Sequence, residues 1–217
     1  MFAWFEKFTE LIIVTLLGIV SFTTAYVSFQ ASLYDSKMFK EYTVAQNLKT
    51  EAESMYLEAN QQYSQDAQTL VALDQLNVEI LSNSSVSVLA RQKYDALYFG
   101  GVSQEFGAAI DRASAEREST GEYVSPQEDE EYLDYLFGPY DEKTLAAEAQ
   151  TKQGDAFNTY ADKLILYTVL MALCLFLLGV AAVVSRSKTK FLISSISMVI
   201  FAFTAILATF IPFTGIE

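Results

Sequence analysis

Three uninterrupted apolar runs punctuate the chain. Leu11 to Phe29, Leu164 to Val184 and Phe191 to Phe213 contain no Asp, Glu, Lys, Arg or His and run 19, 21 and 23 residues. About 20 apolar residues carry a helix across a bilayer core, so each run predicts a transmembrane helix. After the first run the pattern changes to a seven-residue rhythm: Ala31, Met38, Ala45, Ala52 and Ala59, with Tyr34, Leu48, Met55 and Gln62 at intermediate positions. Such a repeat describes the seam of a left-handed coiled coil, and alanine on the seam implies close helix approach. The stripe runs back into the first span through Ser28, Thr24 and Ser21.

A second stripe of small residues precedes and enters the second apolar run. Ala147, Thr151, Gly154, Asn158 and Ala161 recur at three- and four-residue steps and continue through Thr168, Ala172, Gly179 and Ala182. Small residues along one face let membrane helices approach without a hydrophobic drive. The candidate helix–helix interface is therefore Ala31, Ala45, Ala52 and Ala59 on the outgoing helix against Ala147, Gly154, Ala161, Ala172 and Gly179 on the return. Helix propensity and ordinary packing are the alternative account. Gly154 argues against it, because a mid-helix glycine costs about 1 kcal/mol relative to alanine.

No Gly or Pro occurs between Gly18 and Gly100, which predicts one helix from near Phe8 to near Leu81. At 1.5 Å per residue it would be about 110 Å long. It should end at Ser82-Asn83-Ser84-Ser85, whose side chains compete for backbone hydrogen bonds. Ser87 to Phe99 predicts a short helix ending at Gly100-Gly101, and Ser103 to Ser119 another, stopping near Gly121. Ser125-Pro126-Gln127-Glu128 has the form of a capping box with proline at the first helical position. The helix it opens should run to Phe137, end at Gly138-Pro139, and hand over to a return helix capped by Asp141.

The expected fold is all-α and integral to the membrane. Three transmembrane helices are expected, the first and second extended into an antiparallel coiled-coil-like stalk carrying a small helical distal domain. Along the chain this gives an N-terminus and first span (1–29), an outgoing stalk helix (30–81), a distal acidic region (82–140) and a return stalk helix (141–163). The second span (164–184), a basic turn (185–190) and the third span with the C-terminus (191–217) follow.

Charge sets the expected orientation. The turn Ser185-Arg186-Ser187-Lys188-Thr189-Lys190 carries three positive charges and no negative one, and short basic loops stay cytoplasmic. Arg186, Lys188 and Lys190 are thus the topology-setting residues. They place the N-terminus inside and residues 30–163 and the C-terminus outside. Lys7 beside Glu6 and Glu10 adds little. The first run is too long for a typical signal-peptide core and has no evident cleavage site, so an uncleaved anchor is expected. Aromatic residues cluster where spans should meet headgroups: Phe2, Trp4, Phe5 and Phe8, Tyr26 and Phe29, Tyr160 and Tyr167, Phe210 and Phe213.

Composition narrows the chemistry. Residues 30–162 hold 24 acidic and nine basic side chains, a net charge of −15, which disfavours nucleic acid and anionic lipid as partners of that segment. Histidine is absent and Cys174 is the sole cysteine, inside the second span. No disulfide framework, zinc cluster or Cys–His pair follows, and a buried thiol packs as a small apolar group. Glu128-Asp129-Glu130-Glu131 with Asp134 is the one cluster that invites cation binding, but it lacks the spacing of a calcium loop. Acids in a first helical turn also complement the helix dipole. Nearby Tyr123, Tyr132, Tyr135, Phe137 and Tyr140 would pack the tip or form a partner surface. Asn83-Ser84-Ser85 is a glycosylation sequon, meaningful only on a eukaryotic secretory route.

The segment Thr23-Thr24-Ala25-Tyr26-Val27-Ser28-Phe29-Gln30-Ala31-Ser32-Leu33-Tyr34-Asp35 resembles the end of the first span in a group of uncharacterised bacterial three-span inner-membrane proteins. In that group an aromatic–Ser–aromatic–Gln–Ala–Ser pattern leads into a long Ala-rich helix, here Tyr42, Ala45, Leu48, Thr50, Glu51, Ala52, Ala59, Gln61 and Gln62. Asn158, Asp162, Tyr167-Thr168-Val169-Leu170 and Leu175-Phe176-Leu177-Leu178-Gly179 continue the likeness. Tyr34 and Ser36 stand where the group has a Trp-x-Gly pair, and its Pro-rich distal segment is reduced here to Pro126 and Pro139. The resemblance implies a bacterial inner-membrane location and the same three-span plan; it implies no activity and no functional residues.

These features predict a non-enzymatic membrane scaffold or interaction protein without catalytic residues, cofactor or metal. Its partners would be the lipid bilayer and either further copies of itself or another membrane protein, and not nucleic acid. It would self-associate through small-residue faces, Ser194, Ser197, Ala205 and Ala208 on the third span included, and present an acidic helical domain outside. The alternative is a homo-oligomeric channel, or an accessory subunit of a channel, transporter or other membrane complex. A pore would be lined by Thr15, Ser21, Thr23, Thr24, Ser195 and Thr204, since no charge lies within the spans.

Overall fold

A computed structural model describes the backbone of residues 2–82 and 85–215 and the side chains of 10–82 and 85–215. Asn83 and Ser84 of the sequon, the aromatic side chains before the first span, and Glu217 lie outside them. Five helices account for nearly all of the described chain: α1 (Phe2–Leu81), α2 (Ser87–Gly101), α3 (Gln104–Thr120), α4 (Glu130–Val183) and α5 (Ser187–Thr209). α1, α4 and α5 are long and apolar enough to cross a membrane. The chain divides into two compact units. A membrane unit comprises Met1–Val44 and Ala149–Glu217, and a polar unit comprises Ala45–Glu148.

The expected unbroken first helix is present, with no Gly or Pro after Gly18 to interrupt it. α4 departs from expectation. Gly138-Pro139 does not end a helix, because α4 runs through Pro139 from Glu130 to Val183. A residue before proline is normally pushed out of the helical region by a clash with its own Cβ, and Gly138 has none. α4 also begins later than the capping box suggests. Pro126–Glu128 is a single 3₁₀ turn, the Ser125 side chain caps nothing, and the cap is Asp129. Its Oδ1 accepts the Tyr132 amide at 2.9 Å. The basic turn is shorter than expected, since α5 already starts at Ser187 and takes in Lys188 and Lys190.

In the membrane unit α1 buries Ile13, Val20, Val27 and Tyr34, seven apart, with Ala31 and Met38 four residues offset. Ser21 and Ser28, expected on this stripe, face outward, while Thr24 is half-buried. α4 answers with Ala161, Leu164, Met171, Cys174, Leu178 and Ala181. Tyr34 sits among Phe157 and Tyr160, ring centroids 6.0 and 5.2 Å away. α5 is tied to α4 by Ser197, whose Oγ donates to the Cys174 carbonyl at 2.9 Å. Cys174 itself is buried with Val20 and Leu178, as a small apolar group.

The polar unit has its own core of Ala59, Phe106, Ala109, Tyr132 and Leu136. Phe106 and Tyr132 are fully buried with centroids 4.9 Å apart. α3 is delimited at both ends. Ser103 Oγ accepts the Phe106 amide at its start, and Gly121 closes it at φ 77°, a backbone conformation open chiefly to glycine.

Candidate functional site

Polar groups converge at one place in each unit. In the polar unit it is Asp66, fully buried at 0 % exposure. Its Oδ2 accepts from Gln62 Nε2 at 3.0 Å, Ser103 Oγ at 3.0 Å and Tyr132 Oη at 2.9 Å. The Ser103 amide points at Oδ1 from 3.5 Å. These donors come from α1, the start of α3 and α4, so one carboxylate ties the three helices together. Burial first, then the hydrogen bond and charge of Asp66, push the Tyr132 phenol far above its ordinary range. Asp66 carries no sequence motif, but the spacing could have found it. Continuing the seven-residue step beyond Ala59 lands on Asp66 and then Leu73, 0 and 2 % exposed.

The acidic run beside it is bound up in ion pairs. Arg112 grips Asp129 with two bonds, Nε to Oδ2 at 2.8 Å and Nη2 to Oδ1 at 2.6 Å, and reaches Glu131 at 2.9 Å. The Arg112 hydrogen bond, assisted by the Tyr132 amide, holds the Asp129 carboxyl below its usual range. A depressed folded pKa stabilises the fold above the ordinary carboxylate pKa, and that contribution is lost as pH falls through the folded value. Arg112→Gln should therefore flatten the loss of thermal stability between about pH 5 and pH 3. An unchanged acid slope in circular-dichroism melts would show that the pair does not matter. No group of three or more His, Cys, Asp or Glu able to hold a metal occurs among the described residues.

In the membrane unit the second convergence lies where α1 leaves its apolar run, α4 enters its own and α5 ends. Residues following α5 fold back on α1. Tyr34 Oη donates to the Pro212 carbonyl at 2.6 Å, and the Thr214 amide donates to Gln30 Oε1 at 3.2 Å. Both side chains belong to the segment that carries the resemblance noted above. Beside this latch lies a cavity of about 440 Å³ walled by Tyr26, Val27, Gln30, Ala208, Ile211 and Phe213, among others.

The small residues proposed from sequence occupy different settings. Ala31, Ala45, Ala52, Ala59, Ala147, Gly154 and Ala161 are all buried. At Gly154 a Cβ would stand 2.5 Å from the Tyr42 ring, whose hydroxyl donates to Asp155 Oδ1 at 2.6 Å. Ala172 is exposed, Gly179 is half-buried, and Ala182 is exposed. Three- and four-residue steps had carried the stripe off the buried face, which follows Leu164, Met171 and Leu178. A Cβ on Gly179 would meet nothing within 4 Å, and a shallow apolar groove beside it is lined by Phe176, Val180, Val183 and Val184.

Arg186 and Lys188 are exposed, and Lys190 lies 3.9 Å from Glu10. Of the hydroxyls considered for a pore, those of Thr15, Thr23, Thr24 and Thr204 each donate to a carbonyl of their own helix. No family model matches this chain, and comparisons with curated proteins and with solved structures give no match either.

Proposed function

We propose that this chain is a non-enzymatic membrane scaffold that self-associates in the bilayer and displays residues 45–148, its acidic helical part, on the outer side. The carrying observation is the exposed face of α4. Ala172 and Ala182 are exposed beside the half-buried Gly179, and the groove at Gly179 gives a neighbouring helix room for close approach. A channel is the second class; Thr204, one of the residues considered for its lining, is fully buried within the chain and does not face a pore between copies.

The proposed orientation has Arg186, Lys188 and Lys190 in the cytoplasm, as short basic connections prefer. Lys188 and Lys190 sit in the first turn of α5, the positive end of the helix dipole, where cations are disfavoured. Helix stability therefore does not account for them, which supports a role in topology. A bacterial inner membrane is the location that the resemblance suggests.

Mass determination of the complex extracted gently from native membrane tests this. An integer multiple of 24.2 kDa is expected, and Gly179→Leu should return it to the monomer. A wild-type monomer would refute self-association, and bound foreign subunits would make the protein an accessory component. An unchanged multiple in Gly179→Leu would move the interface elsewhere.

A further inference from the structure

In the polar unit α1 buries one face and leaves the opposite one open. Ala52, Ala59, Asp66 and Leu73, seven apart, are buried. Two residues to either side of them, about 200° of helical turn away, run two further columns. Leu57, Ser64, Val71 and Val78 form one, and Gln61, Gln68 and Gln75 the other. All seven are exposed, with Leu57, Val71 and Val78 at 68, 57 and 70 %. Together they alternate at four- and three-residue steps, the a/d spacing of a coiled-coil seam, over roughly 32 Å of helix. No charged side chain interrupts them. Three large apolar side chains in one register along a single line differ from the scattered exposure that is normal for a surface.

Glu53, Glu58, Asp74 and Glu79 flank this seam at the e and g positions, which set partner choice. All four are exposed, and none forms an ion pair among the described residues. A second copy is therefore the wrong occupant. Copies sharing one membrane topology meet in parallel, where each g residue faces the e residue five positions on in the other chain. Glu53 would face Glu58, and Asp74 would face Glu79, on both sides of the pair. An antiparallel pair sets e against e and g against g, again acid on acid, which is costly at an interface. We propose that the seam docks an amphipathic helix of another protein that carries Lys or Arg at its own flanking positions. Glutamine on the seam fixes the register at a cost in affinity, so the contact is reversible, and its charge pairs make it salt-sensitive.

The seam does not depend on self-association in the bilayer and is tested on the full chain in detergent by fluorescence anisotropy. The probe is a synthetic peptide of about four heptads with Gln at a, Leu at d and Lys at e and g; a matched peptide with Glu at e and g is the control. The lysine peptide should bind saturably, one per chain, and the glutamate peptide at least about tenfold more weakly. Leu57→Asp combined with Val71→Asp should weaken the lysine peptide about tenfold, although the change adds negative charge. Binding that holds or tightens in that variant would mean attraction by overall charge alone and would overturn the proposal. Glu53→Lys, Glu58→Lys, Asp74→Lys and Glu79→Lys together should reverse the preference in favour of the glutamate peptide. An unreversed preference would overturn the proposal, as would equal binding of both peptides to wild type. All six substitutions lie at exposed positions; if one variant fails to fold, the other decides.

Discussion

Asp66→Leu is expected to destabilise the polar unit by about 2–4 kcal/mol, because the buried Tyr132 hydroxyl loses its acceptor at roughly 1–3 kcal/mol and two partly buried donors lose theirs at less. Leucine keeps the branched shape of the carboxylate and is somewhat bulkier, so no cavity forms and the loss comes from the donors of Tyr132, Ser103 and Gln62. The companion variant Asp66→Leu with Tyr132→Phe should recover a substantial part, since removing both partners of a buried bond is far milder than removing one. Asp66→Asn keeps one acceptor and should lose less than Asp66→Leu. Chemical denaturation of the full chain in detergent, read by near-ultraviolet circular dichroism, measures all three. A loss under about 1 kcal/mol for Asp66→Leu would mean that the network is peripheral.

The same network sets an alkaline limit. A raised folded pKa contributes stability that is present below the ordinary tyrosine value near 10 and is lost as pH rises through the folded value. Tyr132 is raised in this way. Tyr98, partly buried and donating to Asp111 Oδ1 at 2.9 Å, is pushed up to about 12.

The second large effect is one of sign. Glycine to alanine within a helix ordinarily gains about 1 kcal/mol. At Gly154 the added Cβ would stand 2.5 Å from the Tyr42 ring, so the ring must leave its seat and surrender its bond to Asp155. Gly154→Ala should therefore lower the melting temperature, and Gly154→Leu should lower it further. In a Tyr42→Ala background Gly154→Ala should instead raise it. Such a reversal in a double-mutant cycle is the signature of direct contact. Stabilisation by Gly154→Ala in the wild-type background would reduce the glycine to an accident of composition.

Much of the fold was legible because its causes are local. The three apolar runs and the absence of Gly and Pro between Gly18 and Gly100 act residue by residue, through bilayer transfer and helix propensity. α1 contains the first run and α4 all of the second but Val184, while α5 ends at Thr209, four residues short of the expected Phe213. Ser103 and Gly121 were equally readable, since each delimits α3 through its own backbone neighbourhood. Local rules failed where two of them competed. At Gly138-Pro139 the breaker rule for proline lost to the missing Cβ of the preceding glycine. At Ser125 the capping-box pattern lost to Asp129, which caps α4 while bonded to Arg112, 17 residues earlier.

What the sequence determined by itself is therefore the three long apolar spans and the unbroken course of α1, together with its seven-residue spacing. Those properties are sums over neighbours along the chain. Only the tertiary structure decided which residues of that spacing face inward, placing Asp66 in a core, and on α4 it left Ala172 exposed and Gly179 half-buried. It alone joined Gln30 to Thr214 across 184 residues and Tyr34 to Pro212 across 178. Burial of a helix face depends on what packs against it, and a bond between distant residues exists only once the intervening chain has returned. Neither has a signature in local pattern.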